Sequence, residues 1–204
     1  MGRVLVACEF SGTVRDAFIR YGHDAISCDL LPSESPGPHI HGDIMDVDLT
    51  QFDLMIAHPP CTYLAVSGAR WAHGDTEKAE RRRALRAESI EFVRYLMSAP
   101  VPMIAVENPV GAISRFIRKP DQYVQPYEFG HTLQKKTGLW LKNLPLLTPT
   151  AIVEPEYVIS GTGRRWSKWF WDTSQLPIST RGHERSKTFQ GIADAMAEQW
   201  GKLL

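Results

Sequence analysis

The chain has 204 residues, 43% hydrophobic and 23% charged, and its 23 basic and 23 acidic side chains cancel to a formal net charge of zero. That length suits one α/β domain with its own core and is too short for two of full size. No apolar run approaches the roughly 18 residues of a membrane span, and neutrality excludes polyanion binding by bulk charge. Cys8, Cys28 and Cys61 lie far apart with no CxxC pair, which argues against a disulfide framework or a zinc site and for a reducing, cytoplasmic setting. The charge is unevenly spread: residues 1–130 hold 13 basic and 17 acidic side chains, residues 131–204 hold 10 and 6. A polyanion would therefore meet the C-terminal third.

Val4 to Cys8 is a short apolar run, followed by the turn Glu9-Phe10-Ser11-Gly12 and a helical stretch over Thr13 to Ile19. Strand, tight turn and helix open a βαβ unit, so the start reads as a first strand and not as a signal peptide. Ala25 to Cys28 predicts a second strand ending on Asp29. Ser33 to Pro38 is loop, and His39 to His41 a third short strand leading into Gly42-Asp43. Leu54 to Ala57 has the continuous apolar character of a buried parallel strand and stops at His58-Pro59-Pro60-Cys61. The longest predicted helix covers Glu77 to Ala99, with Leu85, Phe92, Val93, Leu96 and Met97 at helical spacing and Arg81, Arg82, Arg83 and Arg86 in its first half. Met103 to Val106 is another buried strand and ends at Glu107-Asn108-Pro109. Ile113 to Arg118 suits a short helix, Tyr123 to Phe129 and Leu139 to Leu141 later strands, and Ser186 to Leu204 a closing helix. The expectation is one α/β domain over residues 1–204: a mostly parallel Rossmann-like sheet, helices on both faces, and a small antiparallel part near the C-terminus.

Four of the apolar runs end in Glu9, Asp29, Cys61 and Glu107. Open parallel sheets bind ligands beyond the carboxyl ends of their strands, so these side chains are expected at one rim. Glu9 to Gly12, with Asp29 about 20 residues on, has the logic of an adenosine site: glycine for close approach, an acid for the ribose hydroxyls. An ordinary structural turn explains the same residues equally well. The missing glycines argue against a pyrophosphate such as NAD. S-adenosylmethionine (SAM) carries no phosphate and tolerates a looser turn. Asp43 is placed to accept from an adenine amino group, or to cap a turn.

Pro59 and Pro60 fix the backbone and present Cys61 rigidly. The thiolate is the nucleophile of such a residue, and only a few per cent of an unperturbed thiol is ionised at neutral pH. A carboxyl at Glu107 on the same rim points to a particular reaction. Carbon 5 of cytosine is a poor nucleophile until a thiolate adds to carbon 6 and ring nitrogen 3 is protonated. Glu107, with its pKa raised by partial burial, would supply and recover that proton. His39 and His41 would point the same way on a strand but have no third ligand nearby in sequence, so no metal is expected. His58 lies beside the thiol loop and is given no role.

These motifs resemble the DNA cytosine-C5 methyltransferase family, and its short phage-type members in particular. Pro60-Cys61 matches the family's Pro-Cys nucleophile motif, and Glu107-Asn108-Pro109 its Glu-Asn-Val motif with Pro in place of Val. Phe10 to Gly12 partly matches the FxGxG turn. Asp29 and Asp43 fall where the family has its ribose- and adenine-facing acids. Gln134-Lys135-Lys136 is a dilute form of Gln-x-Arg-x-Arg, which puts Lys136 near the cytosine or a phosphate. Ser186 to Gly191 resembles the closing segment that packs back on the cofactor domain. The resemblance implies a SAM-dependent methyltransferase fold and SAM held by Glu9, Phe10, Ser11, Gly12, Asp29, Asp43 and Pro59. It further implies catalysis by Cys61, Glu107 and Lys136, and DNA, duplex or single-stranded, as partner.

The main departure is size. Full-size members have a large target-recognition domain where this chain has a small insert, residues 148–187. Within it, Gly161 to Trp171 interleaves basic and aromatic residues, which suits phosphate contact and base stacking through Arg164, Arg165, Trp166 and Lys168. The glycines point to a mobile loop. The alternative is that Trp166, Trp169 and Trp171 simply pack together beneath it. With so little recognition domain, two other readings stay open. The chain could modify a free cytosine nucleotide or transfer a different one-carbon group, or it could be a non-catalytic relative that binds nucleic acid.

Overall fold

The computed structural model describes all 204 residues, Met1–Leu204. The apolar runs become the middle of a seven-stranded sheet: β1 (Arg3–Ala7), β2 (Asp24–Asp29), β3 (His39–His41), β4 (Leu54–Ala57), β5 (Met103–Pro109), β6 (Gln122–Val124) and β7 (Thr137–Lys142). Their order is β3-β2-β1-β4-β5-β7-β6. The first five are mutually parallel, and β7 runs antiparallel to both β5 and β6. This is the mostly parallel, Rossmann-like α/β sheet that the sequence predicts.

Strand alternation sorts the apolar side chains into two cores. Val4, Val6, Leu54, Ile56 and Ala105 pack on one face against α1 (Thr13–Arg20) and α6 (Gln190–Gly201), through Val14, Ala17, Phe18, Ile192, Met196 and Trp200. Leu5, Ala7, Met55, Ala57, Ile104 and Val106 pack on the other face against α2 (Glu77–Met97), through Ile90, Val93 and Leu96, with the single turn α3 (Ile113–Phe116) beside it. Both buried tryptophans satisfy their indole N–H groups: Trp140 donates to Arg118 O at 2.8 Å and Trp200 to Pro145 O at 2.9 Å. No helix is long and apolar enough to cross a membrane.

The structure departs from the sequence reading at three places. The strand expected over Tyr123 to Phe129 stops at Val124, because Pro126 has no N–H to give a ladder and Gln125 and Glu128 cap a 3-10 turn there. The closing helix begins at Gln190 rather than Ser186, since Lys187 and Phe189 are extended and Ser186 ends a separate helix. The insert is not a loop. Gly161 to Gly163 is the turn of a hairpin, β8 (Tyr157–Ile159) with β9 (Arg165–Ser167), followed by α4 (Lys168–Gln175) and α5 (Ile178–Ser186).

Candidate active site

The register of β4 and β5 builds the site. Ala57 pairs with Val106, so the next residues, His58 and Glu107, emerge side by side at the rim. His58 Nδ1 lies 2.9 Å from Glu107 Oε2, with side chains 7% and 12% exposed. One residue on, Asn108 Nδ2 donates to Pro59 O at 2.7 Å and ties the thiol loop to β5. Past Cys61 the chain turns back, with Leu64 and Ala65 N–H donating to Cys61 O at 3.0 and 2.9 Å. It is then stapled to the segment after β5: Val66 N–H to Val110 O at 3.0 Å, and Ala112 N–H to Leu64 O at 2.7 Å. Gly111 lies so close that an added Cβ would sit 1.9 Å from Leu64 O.

Cys61 and Glu107 open on one cavity of about 430 Å³, walled by the thiol loop, the residues after β5, Gln134 to Lys136, and Ser167, Trp169, Phe170 and Arg185 of the insert. That volume lies within the usual range for small-molecule sites. Burial pushes the Cys61 thiol up. The positive charges of Lys135 and Arg185 pull it back and the Glu107 carboxylate opposes them, leaving it above its ordinary value. At Glu107 the balance is the reverse of the sequence expectation. Burial would raise its carboxyl, but the hydrogen bond from His58 and the charges of Lys135 and His58 prevail and hold it below the ordinary glutamate value.

The cation nearest in influence is thus Lys135 rather than Lys136. Lys135 Nζ donates to Lys187 O at 3.2 Å. Lys136 also lines the cavity, but its Nζ stands 4.3 Å over the Tyr123 ring.

The first turn uses its residues differently from the sequence reading. Glu9 is 4% exposed and accepts from Val14 N–H at 2.6 Å and Arg15 N–H at 3.2 Å. It therefore caps the orphan donors of α1 and shapes the turn instead of presenting a free carboxylate. Gly12 has φ 75°, and a Cβ there would meet the Arg15 guanidinium at 2.4 Å. This glycine makes room for Arg15, not for a ligand. Arg15 is fully buried, paired with Asp16 at 2.7 Å and bonded to Ser27, Ser33 and the carbonyls of Ser35, Pro36 and Pro38. It organises the Pro-rich loop, which carries Glu34. Glu34 in turn holds His183 and Lys187, and His183 stacks on Phe10 with centroids 4.3 Å apart. The gap left at the turn, lined by Cys8 to Ser11, His58 and Ser186 to Thr188, is only about 30 Å³.

Beyond the turn, Asp29 accepts from Leu31 N–H at 2.9 Å and Asp43 caps a 3-10 turn by accepting from Met45 N–H at 3.0 Å, each through a single oxygen. Beside them Leu30 and Met45 are 70% and 58% exposed. Two acids with free oxygens and apolar side chains next to them fit an adenosine. The gap of about 30 Å³ at the turn, as lined by Ser186 to Thr188, is too small for the amino-acid end of such a cofactor. His39 and His41 are occupied by Ser27 and the carbonyls of Leu31 and Leu30.

On the insert, Arg164 lies over Trp166 at 4.3 Å and Arg165 over Tyr157 at 3.3 Å, while Lys168 is paired with Asp172 at 2.6 Å. Trp166 stacks on Phe170 and Trp169 meets Phe189 edge-on. Sequence reasoning did not pick out Arg185 or the Arg70–Trp71 pair, whose guanidinium lies 4.6 Å over a ring 52% exposed. His58 was visible beside the motif, but its partner was not.

Together, fold and rim define a Rossmann-like α/β protein with a thiol–carboxylate site at the ends of two central strands. No family model matches the chain, and no curated protein matches it. Among solved structures that do match is a protein given the provisional description of DNA modification methyltransferase, encoded within a prophage (E. coli). The match has 14% identity and a TM-score of 0.44, and covers 74% of this chain and 52% of that one. The chain thus spans about half the length of that structure.

Proposed function

We propose that the chain transfers a methyl group from SAM to carbon 5 of cytosine in a DNA strand, with Cys61 as covalent nucleophile. The observation that carries this reading is the joint opening of Cys61 and Glu107 on one cavity of about 430 Å³, with Glu107 oriented by His58. The Cys61 thiolate adds to carbon 6, and the ring π electrons shift toward nitrogen 3, which takes a proton from the Glu107 side. Carbon 5 is then nucleophilic. SAM, when bound, supplies an electrophilic methyl group, and Asp29 and Asp43 are the residues that would hold its adenosine. Nitrogen 3 then returns its proton, the hydrogen on carbon 5 leaves to solvent, the sulfur–carbon bond breaks, and the double bond re-forms.

A strand is favoured over a free nucleotide because basic and aromatic side chains neighbour cavity-lining residues in the chain: exposed Arg70 and Trp71 follow Ser67, and exposed Arg164 and Arg165 with half-buried Trp166 precede Ser167. Base stacking on such rings is worth about 1–3 kcal/mol per base. A free nucleotide is the second reading, since the cavity has the volume for one.

The test is nucleoside mass spectrometry after incubation with SAM and duplex DNA, single-stranded DNA or dCTP, alongside Cys61→Ala. The expected result is a gain of one methyl mass on cytosine in DNA, absent in C61A. Methylation that persists in C61A contradicts the covalent route, and a gain on dCTP alone contradicts the strand.

A further inference from the structure

His58 sits between two buried carboxylates and has one nitrogen to spare. Its Nδ1 meets Glu107 Oε2 at 2.9 Å, while Nε2 is buried with no hydrogen-bond partner. On the β1 side the buried Glu9 carboxylate lies within electrostatic reach of the imidazole, and on the β5 side Glu107 is bonded to it. Lys135 acts on Glu107 from the segment before β7, Cys61 follows on its own loop, and Lys187 closes the turn from beyond α5. His58 also lines both the large cavity and the small gap at the first turn. A carboxylate that must give a proton to a ring nitrogen is poorly served by surroundings that keep it ionised. An imidazole at 2.9 Å resolves this, because a proton placed on either partner can cross to the other.

We propose that His58 is the positioning residue and proton partner of Glu107, so that the pair, and not the carboxylate alone, exchanges the proton with cytosine nitrogen 3. The inference rests on the cytosine-C5 reading above. As sulfur bonds to carbon 6, the one proton shared between His58 Nδ1 and Glu107 passes through the carboxylate to nitrogen 3. The pair ends one proton poorer, with a neutral imidazole beside a carboxylate. When nitrogen 3 releases its proton, the pair is restored. No oxidant, reductant or further reactant is required.

The step can be read without a methyl donor. Reversible addition at carbon 6 makes carbon 5 exchange its hydrogen with solvent, so deuterium from D2O enters cytosine at that carbon. Exchange into a single-stranded oligonucleotide and into dCMP is followed by mass spectrometry for wild type, His58→Asn and His58→Phe, over a range of pH. Asn keeps an N–H for Glu107 but cannot carry its proton, and Phe keeps the ring volume. In parallel, proton NMR of the free protein looks for a slowly exchanging imidazole N–H and its dependence on Glu107→Gln.

The expected outcome is a fall of about 10²-fold in the exchange kcat of both His58 variants, the scale of general acid–base catalysis. KM is expected to stay unchanged, one limb of the pH profile to disappear, and the N–H signal to vanish in E107Q. Exchange by H58N at the wild-type rate with the wild-type pH profile overturns the role of His58 and leaves the cytosine reading standing. So does the absence of the N–H signal from a wild type that exchanges normally. No exchange by wild type on either substrate, with the N–H signal present, overturns the cytosine reading and the proton transfer with it.

Discussion

The carboxyl ends of β4 and β5 and the carboxyl end of β1 belong to one rim but are built in opposite ways. At β4 and β5 the chain is held open. Asn108, the Val66–Val110 and Ala112–Leu64 backbone bonds and the close approach of Gly111 brace a cavity of about 430 Å³ around a thiol. At β1 the chain is held shut. Glu9 is spent on capping α1, Gly12 on admitting Arg15, and Glu34 on drawing His183 and Lys187 over the turn, leaving about 30 Å³. The thiol side of the rim is therefore preformed as a cavity, whereas the turn after β1 is closed by Ser186 to Thr188.

The closed turn is most vulnerable at Arg15. Replacing it with Ala empties a fully buried site and strips the guanidinium from the partly exposed Asp16 and from three carbonyls of the Pro-rich loop. The expected loss is about 2–5 kcal/mol of stability, the range for emptying a fully buried long side chain, measured by urea denaturation. Next is Gly111→Ala. Its Cβ must displace the Leu64 backbone, at an overpacking cost of about 1–3 kcal/mol. Because Leu64 donates back to Cys61, C5 exchange is expected to fall further than the melting temperature alone explains, while adenosine binding at Asp29 and Asp43 is unaffected.

Smaller effects sharpen the electrostatics. Iodoacetamide alkylation of Cys61 is expected to keep accelerating with pH beyond the range of an ordinary thiol, since burial holds the proton on. At fixed pH, Lys135→Ala removes a charge that favours the thiolate and slows alkylation. Glu107→Gln removes one that opposes it and speeds alkylation. Peptide-level mass spectrometry reads both rates.

The smallest expected effect is that of Glu34→Gln. Its pairs with His183 and Lys187 are partly exposed, and such pairs contribute about 0–1 kcal/mol. Freeing them is expected to quicken SAM association a few-fold in stopped flow, within what that energy allows, and to leave donor-free C5 exchange unchanged. An unchanged association rate would mean that this clasp does not limit entry.

Much of the sheet was legible because buried parallel strands are apolar throughout. Leu54–Ala57 is bounded in the sequence as it is in the structure, and β3 likewise. The insert was not legible. Gly161 to Gly163 reads as loop, but the aromatic residues after it find partners in one another and in Phe189, and those contacts are long-range for Trp169. At the rim, residue types identified Cys61 and Glu107 as candidates, and the strand register that sets Glu107 against His58 lay beyond them. The expected pKa of Glu107 had the wrong direction for the same reason: burial is readable from an apolar run, whereas a histidine and a lysine from other segments are not. Glu9 and Gly12 look like ligand-binding residues in sequence because a helix cap and a cofactor turn draw on the same residue types.

The central claim is a bond between Cys61 and carbon 6 of cytosine. It is tested most directly by incubating the protein and SAM with an oligonucleotide carrying 5-fluorocytosine, then mapping any adduct by peptide mass spectrometry. Fluorine on carbon 5 cannot leave as a proton does, so the sulfur–carbon bond cannot be released after methyl transfer. The expected product is a stable adduct carrying the nucleotide and one methyl group, located on Cys61 and absent in C61A. An oligonucleotide that is methylated on ordinary cytosine yet forms no adduct at Cys61 would contradict it.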